Sequence, residues 1–272
     1  MRKWVKMYLP FINAGMQETI AYRVDVFFYL LGEVFTALVS YFIWKAVFMS
    51  SSEQSLNGFT MPQMIVYIFL MFFTGLLISS DGTYNIGEEI RDGSIAMRLI
   101  KPISYNATFL FQEIGNKLLT TAILIIPVLV GIEVVRTNLV GEMQFDFLRF
   151  LLYFFSCVLG YLINFYFNIC FGFIAFAIKY LWGANMMKQC IVGFLSGAII
   201  PLSFLPDKLE KVLLLFPFAS LNYTPVMIYL GKYDSSQTVF YIGLQLFWVL
   251  FFAALSKLLW GCASKRLTIQ GG

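Results

Sequence analysis

Long apolar runs dominate the chain and limit what it can become. A helix needs about 20 mostly apolar residues to cross roughly 30 Å of hydrocarbon. Runs of that kind recur at Val26–Phe48, Met64–Ser80, Leu118–Val135, Phe150–Ile178, Gln189–Leu205 and Val239–Trp260. Six such runs cannot share one water-soluble core. The reading is an all-α integral membrane protein with six transmembrane helices, in a single transmembrane domain over 1–272. Composition agrees, because only 12% of the 272 residues are charged, against about 25% in soluble domains. A seventh uncharged run, Val212–Gly231, carries Pro217, Asn222, Tyr223, Thr224 and Pro225 in its middle. Freed amides and carbonyls are costly in lipid, so this stretch is expected to be broken, as a re-entrant extracellular hairpin within 206–237.

Charge sets the orientation. With six spans, the greater part of the 19 Lys and Arg residues falls on the side holding both termini, and the excess of Lys and Arg marks the cytoplasmic face. The expected location is therefore the cytoplasmic membrane, multi-pass, with both termini inside. The start does not read as a signal peptide, because its apolar residues are interrupted. Trp4, Val5, Tyr8, Leu9 and Ile12 recur at helical spacing, with Arg2, Lys3, Lys6, Asn13 and Gln17 elsewhere on the wheel. That pattern suits an amphipathic interfacial helix over 1–24, kinked or begun at Pro10. An ordinary cytosolic lead-in helix is the alternative.

Several chemistries are excluded. With no histidine in the chain, Ser-His-Asp triads, His-bearing zinc sites and haem ligation by His drop out. The four cysteines, Cys157, Cys170, Cys190 and Cys262, form no C-x-x-C pair and sit in or beside apolar stretches, which speaks against disulfides and thiolate metal sites. Basic residues are dispersed at helix ends, so no nucleic-acid partner is expected. No Gly-x-x-x-x-Gly-Lys-[Ser/Thr] phosphate loop is present, and nothing else in the chain is a visible cradle for ATP.

Charge is densest in one loop, Asp81 to Lys117. Glu88, Glu89, Arg91, Asp92, Arg98 and Lys101 surround Ile86, Ile90, Ile95 and Leu99. The spacing predicts short amphipathic helices broken at Gly93 and ended before Pro102. They would offer an apolar ridge and a charged rim to a soluble partner. A solvated loop charged by the positive-inside rule is the plainer reading, but acidic residues contribute little to that rule.

The string Glu88-Glu-Ile-Arg-Asp-Gly-Ser-Ile-Ala-Met-Arg-Leu-Ile-Lys-Pro-Ile-Ser104 resembles the cytoplasmic E-x-x-x-G-[ST]-…-L-[LI]-x-x-P motif of type-two ABC transporter permeases. Gly197-Ala-Ile-Ile-Pro-Leu-Ser-Phe-Leu-Pro-Asp-Lys-Leu209, with Phe216-Pro-Phe218 and Pro225, resembles that family's stretch at the end of the fifth span and its extracellular re-entrant helices. The ending Arg266-Leu-Thr-Ile-Gln-Gly-Gly272 is similar to a branch of paired-permease bacterial exporters, in which two different permeases work with one ATPase gene. The resemblance covers essentially the whole chain. It implies a permease subunit that is not itself an enzyme, holding no cofactor, with ATP and magnesium bound by partner ABC ATPase subunits. It also implies a second permease chain, a different one being favoured over self-pairing. By the same resemblance Glu88, Glu89, Arg91, Asp92 and Gly93 form the coupling surface seated on the ATPase, the carboxylates and Arg91 pairing across it.

Inside the spans, polar residues are costly unless they face protein or water. Glu33 lies in the first span, Asn164 and Asn168 in the fourth. Ser156, Gly160, Asn164, Asn168 and Gly172 repeat every four residues as one small, polar stripe. Close helix packing explains such a stripe, and contact with a translocated substrate is the alternative for Glu33, Asn164 and Asn168. Glu33 is expected either to pair structurally, with Arg23 or a partner chain, or to meet a substrate. Aromatic residues make up 18% of the chain, which suits lipid-facing walls or an amphipathic, drug-, peptide- or lipid-like cargo. The rival functions are an ion-gradient-driven secondary transporter or channel, a lipid-modifying membrane enzyme and a membrane scaffold. The first would need charged residues near the midplane and internal repeats, the second clustered acid–base groups, and the third leaves the charged loop without a purpose.

Overall fold

The computed structural model describes residues 2–100, 103–135, 146–178 and 180–263, with the backbone alone at 2–5 and 123–135. Lys101, Pro102, Arg136, Lys179 and the 266–272 ending lie outside the described residues, as do the side chains of Trp4 and Val5. Among the described residues the regular structure is helical apart from one hairpin of two-residue strands. Among the described residues, four helical stretches are long and apolar enough to cross a membrane.

Helix α1 (Arg2–Ala21) runs unbroken with Pro10 inside it, so Pro10 neither starts nor ends it. It does not stand alone at a surface. Tyr8 is buried and stacks on Phe111 with ring centroids 4.6 Å apart, against the first turns of α6 (Tyr105–Val135). Helix α2 (Arg23–Ser50) follows, with Ala37 and Trp44 its buried residues. Strands β1 (Ser55–Leu56) and β2 (Phe59–Thr60) close a hairpin on Asn57 and Gly58, at φ 45° and 78°. Positive φ at both central residues is what a type I′ turn requires and what Asn-Gly supplies. Thr60 then caps α3 (Met61–Ile78) through a reciprocal box with Gln63, and Pro62 occupies the first turn.

Two short helices follow, α4 (Gly82–Asp92) and α5 (Ile95–Leu99), separated at Gly93, whose φ is +79°. A residue with a Cβ resists that conformation, so the glycine sets the break where the sequence places it. Of the apolar ridge of these helices, Ile86 and Ile95 turn inward, Ile90 is partly buried and Leu99 stays exposed. Ile86 and Ile95 are buried with Phe165, Ile169 and Phe173 of the α7 region, and Ile90 packs beside them. Helix α7 (Phe147–Gly172) is capped by the Asp146 carboxylate, which accepts from the Leu148 and Arg149 amides, and ends in a 3-10 turn over Phe173–Phe176.

The expected fifth span differs from the sequence reading. Helix α8 covers Trp182–Leu195, beginning seven residues before Gln189 and stopping ten before Leu205. The chain turns at Gly197, φ +75°, where the Tyr67 hydroxyl donates to the Gly197 carbonyl at 2.6 Å. Pro201 and a 3-10 turn at Leu202–Phe204 continue irregularly. At 14 residues and about 1.5 Å per residue, α8 is shorter than the hydrocarbon is thick. Within 206–237 the chain forms two short helices, α9 (Asp207–Leu215) and α10 (Tyr223–Tyr229). Helix α10 is buried from Tyr223 through Ile228. Helix α11 (Ser235–Ala263) completes the bundle along α7.

Two apolar cores result. One gathers α3, the start of α7 and α10 around Met64, Leu70, Tyr153 and Val226. The other gathers α4, α5, the lower α7 and α11 around Ile86, Phe109, Phe165 and Phe252.

Candidate functional site

The charged loop divides its residues between two directions. Glu88 and Arg91 form an i,i+3 ion pair at 3.2 Å with both side chains about half exposed, and Asp92 accepts the Ser94 amide at 2.9 Å beside them. Tyr84, Met97 and Ile100 are exposed nearby. Glu89 points the other way. Its carboxylate meets the Arg98 guanidinium at 2.5 Å with both side chains 16% exposed, and accepts the Tyr105 hydroxyl at 3.4 Å. Arg98 also donates to Thr108 and lies over the Phe109 ring at 4.0 Å. Glu89 therefore leaves the outward set and ties α4 to α5 and α6. What remains outward is Glu88, Arg91 and Asp92, with Gly93 as the break.

A cavity of about 550 Å³, reached by Asp81 just ahead of α4, brings together all three intramembrane candidates. Glu33 enters from α2, Asn164 and Asn168 from α7, and Lys188 with Gln189 from α8, beside Asp81 at the α3–α4 junction. Asn164 donates to the Ile78 carbonyl at 2.8 Å and ties down the end of α3. The Asn168 amide nitrogen donates to the Asn164 carbonyl at 2.8 Å, and its oxygen accepts from the Lys188 ammonium. Glu33 lines the cavity together with Tyr29, one turn earlier on the same helix.

The small-residue stripe on α7 faces inward over its length. Ser156 exchanges hydrogen bonds with Gln245 of α11, whose amide also donates to the Ser220 carbonyl at 2.7 Å. A Cβ on Gly160 would come within 3.0 Å of the Leu221 carbonyl oxygen, and one on Gly172 within 3.1 Å of Ile86. The stripe thus seats α10, α11 and α4 against α7.

A second cavity, about 390 Å³, adjoins the first and shares Tyr29, Ser79, Ser80 and Asp81 with it. It holds Glu113 and Lys117 of α6. The Glu113 carboxylate is buried and accepts Ser80 and Tyr161 hydroxyls at 3.0 and 3.1 Å. Lys117 donates to the Leu76 carbonyl and to Ser79 at 3.3 and 3.0 Å, closing the C-terminus of α3, where unpaired carbonyls attract a cation. Buried charges of this kind persist only when hydrogen-bonded, and each of these is.

Sequence reasoning missed Glu113 and Gln245 entirely, and counted Lys117 and Lys188 as surface charges at helix ends. Run length and side-of-membrane bookkeeping see a charge at the edge of a span, not the partner facing it. A signal was available for Glu113 and Lys117, which stand one turn apart, i to i+4, immediately before an uncharged run.

A family model described as ABC-2 family transporter protein matches residues 34–271. No curated protein matches the chain.

Proposed function

The chain belongs to the ABC-2 family of transporter proteins, and on that premise we propose that it is the transmembrane subunit of an ATP-driven exporter. It forms half of a translocation path in the cytoplasmic membrane, with both termini inside and six crossings, the fifth made by α8 together with the irregular stretch that follows it to Leu205. Soluble ABC ATPase subunits, binding ATP and magnesium, dock on α4 and α5. A second permease chain, a different one being favoured, supplies the other half, and the cargo is amphipathic, drug-, peptide- or lipid-like.

The observation that carries this reading is the adjacency of two features. An exposed charged surface, Glu88, Arg91 and Asp92, stands on a helix whose N-cap residue, Asp81, lines a polar cavity among apolar helices. Once the apolar ridge of α4 is packed on α7, a rim of mixed charge is left outside, which suits a water-soluble partner recognised by complementary charge. Helices α2 and α8, which contribute to the cavity lining, are largely exposed in the single chain, as the walls of a half-path awaiting its other half would be.

Affinity purification from native membranes in mild detergent, with mass identification of the co-purified chains and an ATPase assay, tests the proposal. Recovery of an ATP-binding subunit, lost on Glu88→Lys or Arg91→Glu while the permease stays monodisperse, supports it. An ion-gradient-driven transporter is the second reading, favoured by the buried Glu113 and Lys117 beside Asp81. Recovery of the chain alone, with no ATPase, moves the assignment there.

A further inference from the structure

Helix α8 is largely exposed, and its one buried residue among the described ones is a lysine. Lysine is among the side chains least often found fully inside a protein, and then only when paired. The Lys188 ammonium donates to the Thr83 hydroxyl of α4 at 2.9 Å and to the Asn168 carboxamide oxygen of α7. It also lies 4.9 Å from the centroid of the Phe171 ring. Thr83 donates in turn to the Asn168 backbone carbonyl at 2.9 Å. Just ahead of α8, Leu181 rests on Gly87 of α4, where an added Cβ would stand 3.4 Å from it. The helix is thus fastened near its start to the coupling region, and at its far end to α3, through Tyr67 and the Gly197 carbonyl.

Between these two attachments, Gln189, Val192 and Gly193 of α8, with its C-cap Ser196, line the large cavity. We propose that Lys188 is the positioning residue through which displacement of α4 reaches α8, so that α8 is the moving wall of the cavity. Parting a buried ammonium from its acceptors is costly, so α8, together with the turn of α7 that carries Asn168, follows Thr83 when α4 moves, and the Gly197 turn absorbs the rotation. This rests on the ATPase-docking reading above. It assigns a transmission role to a residue outside the docking surface.

The test uses the intact complex with its ATPase in liposomes. Cys190, exposed on α8, carries a spin label in a Cys262→Ser background, paired with either Tyr84→Cys on α4 or Phe28→Cys on α2, both exposed sites. On trapping with ATP and vanadate, the distance from Cys190 to position 84 stays constant and that to position 28 changes by at least about 2 Å. Lys188→Met abolishes the change at position 28 and broadens the distances to position 84, while ATP hydrolysis stays within about two-fold of wild type. Thr83→Val, which keeps the shape of the side chain and removes its hydroxyl, gives the same result if Lys188→Met does not fold, and Lys188→Arg restores the movement. A change at position 28 that survives in folded Lys188→Met or Thr83→Val overturns the transmission role alone. A wild-type label at position 84 that does not respond to the ATPase subunit overturns the docking reading, and the transmission role with it.

Discussion

Gly15 and Gly115 face each other across α1 and α6 in a reciprocal contact. A Cβ on Gly15 would fall 2.0 Å from the Gln112 carbonyl oxygen, and one on Gly115 would fall 2.1 Å from that of Ile12. Neither obstacle is a flexible side chain, so the helices must separate to admit a methyl group. Gly115→Ala is expected to destabilise the protein by about 1–3 kcal/mol. Gly32→Ala on α2, where nothing lies within 4 Å, is expected to gain up to about 1 kcal/mol from helix propensity. Thermal unfolding in detergent reads the opposite signs, and a Gly115→Ala protein as stable as wild type would refute the close approach.

Gln245 is fully buried on α11 and serves three groups, Ser156 Oγ, the Ser156 carbonyl and the Ser220 carbonyl. Gln245→Leu keeps the volume and strands the carbonyls. The expected loss is about 1–3 kcal/mol, and Leu246→Ala on the exposed side serves as a control within roughly 0.5 kcal/mol. Equal melting of the two variants would mean that the α7–α11 seam does not depend on this amide.

Neighbouring charges on α4 separate by role. Arg91→Glu alters an exposed pair and is expected to leave stability within about 0.5 kcal/mol, while ATP hydrolysis no longer responds to the permease. Glu89→Lys sets an ammonium against the half-buried Arg98 and is expected to cost about 3 kcal/mol or more, as removal of one member of a buried pair does. Melting and ATPase assays run on both variants distinguish the two. Loss of stability in Arg91→Glu, with coupling intact, would reverse the assignments.

Gly93→Ala forces a Cβ into φ +79°, at a cost of about 1–2 kcal/mol, with no steric clash, since nothing lies within 4 Å. The strain should be relieved by refolding the α4–α5 corner. The expected result is weaker co-purification of the ATPase subunit with little change in the melting of the membrane helices. Wild-type recovery of the subunit would show that the corner tolerates an ordinary residue.

Much of the architecture was legible because lipid imposes a simple rule. Helices α2, α3, α7 and α11 follow run length, and the break at Gly93 follows from a glycine between two amphipathic turns. The Asn57-Gly58 hairpin carries the strongest short-range turn signal there is, yet it was overshadowed by the runs on either side. The end of α8 was not legible, since it depends on Tyr67, 130 residues away in sequence. The same limit applied to the site. Glu33, Asn164 and Asn168 stood out as polar residues in apolar runs, and the structure brings them to one cavity. Lys188 and Glu113 did not stand out, because their burial depends on Thr83, Ser80 and Tyr161, partners that no periodicity announces.

Helix α2 buries Ala37 and Trp44 and packs Tyr41 and Phe48 against the same core, while much of its remaining surface is exposed. Its apolar run, Val26–Phe48, extends about 35 Å at 1.5 Å per residue, against a hydrocarbon layer of about 30 Å. Hydrophobic mismatch of this size is relieved by tilting. Because Tyr29 and Glu33 on α2 form one wall of the cavity, the width of that cavity depends on the tilt. The acyl-chain length of the surrounding lipid thereby becomes a setting of the site itself, widest or narrowest according to the thickness of the bilayer in which the protein resides.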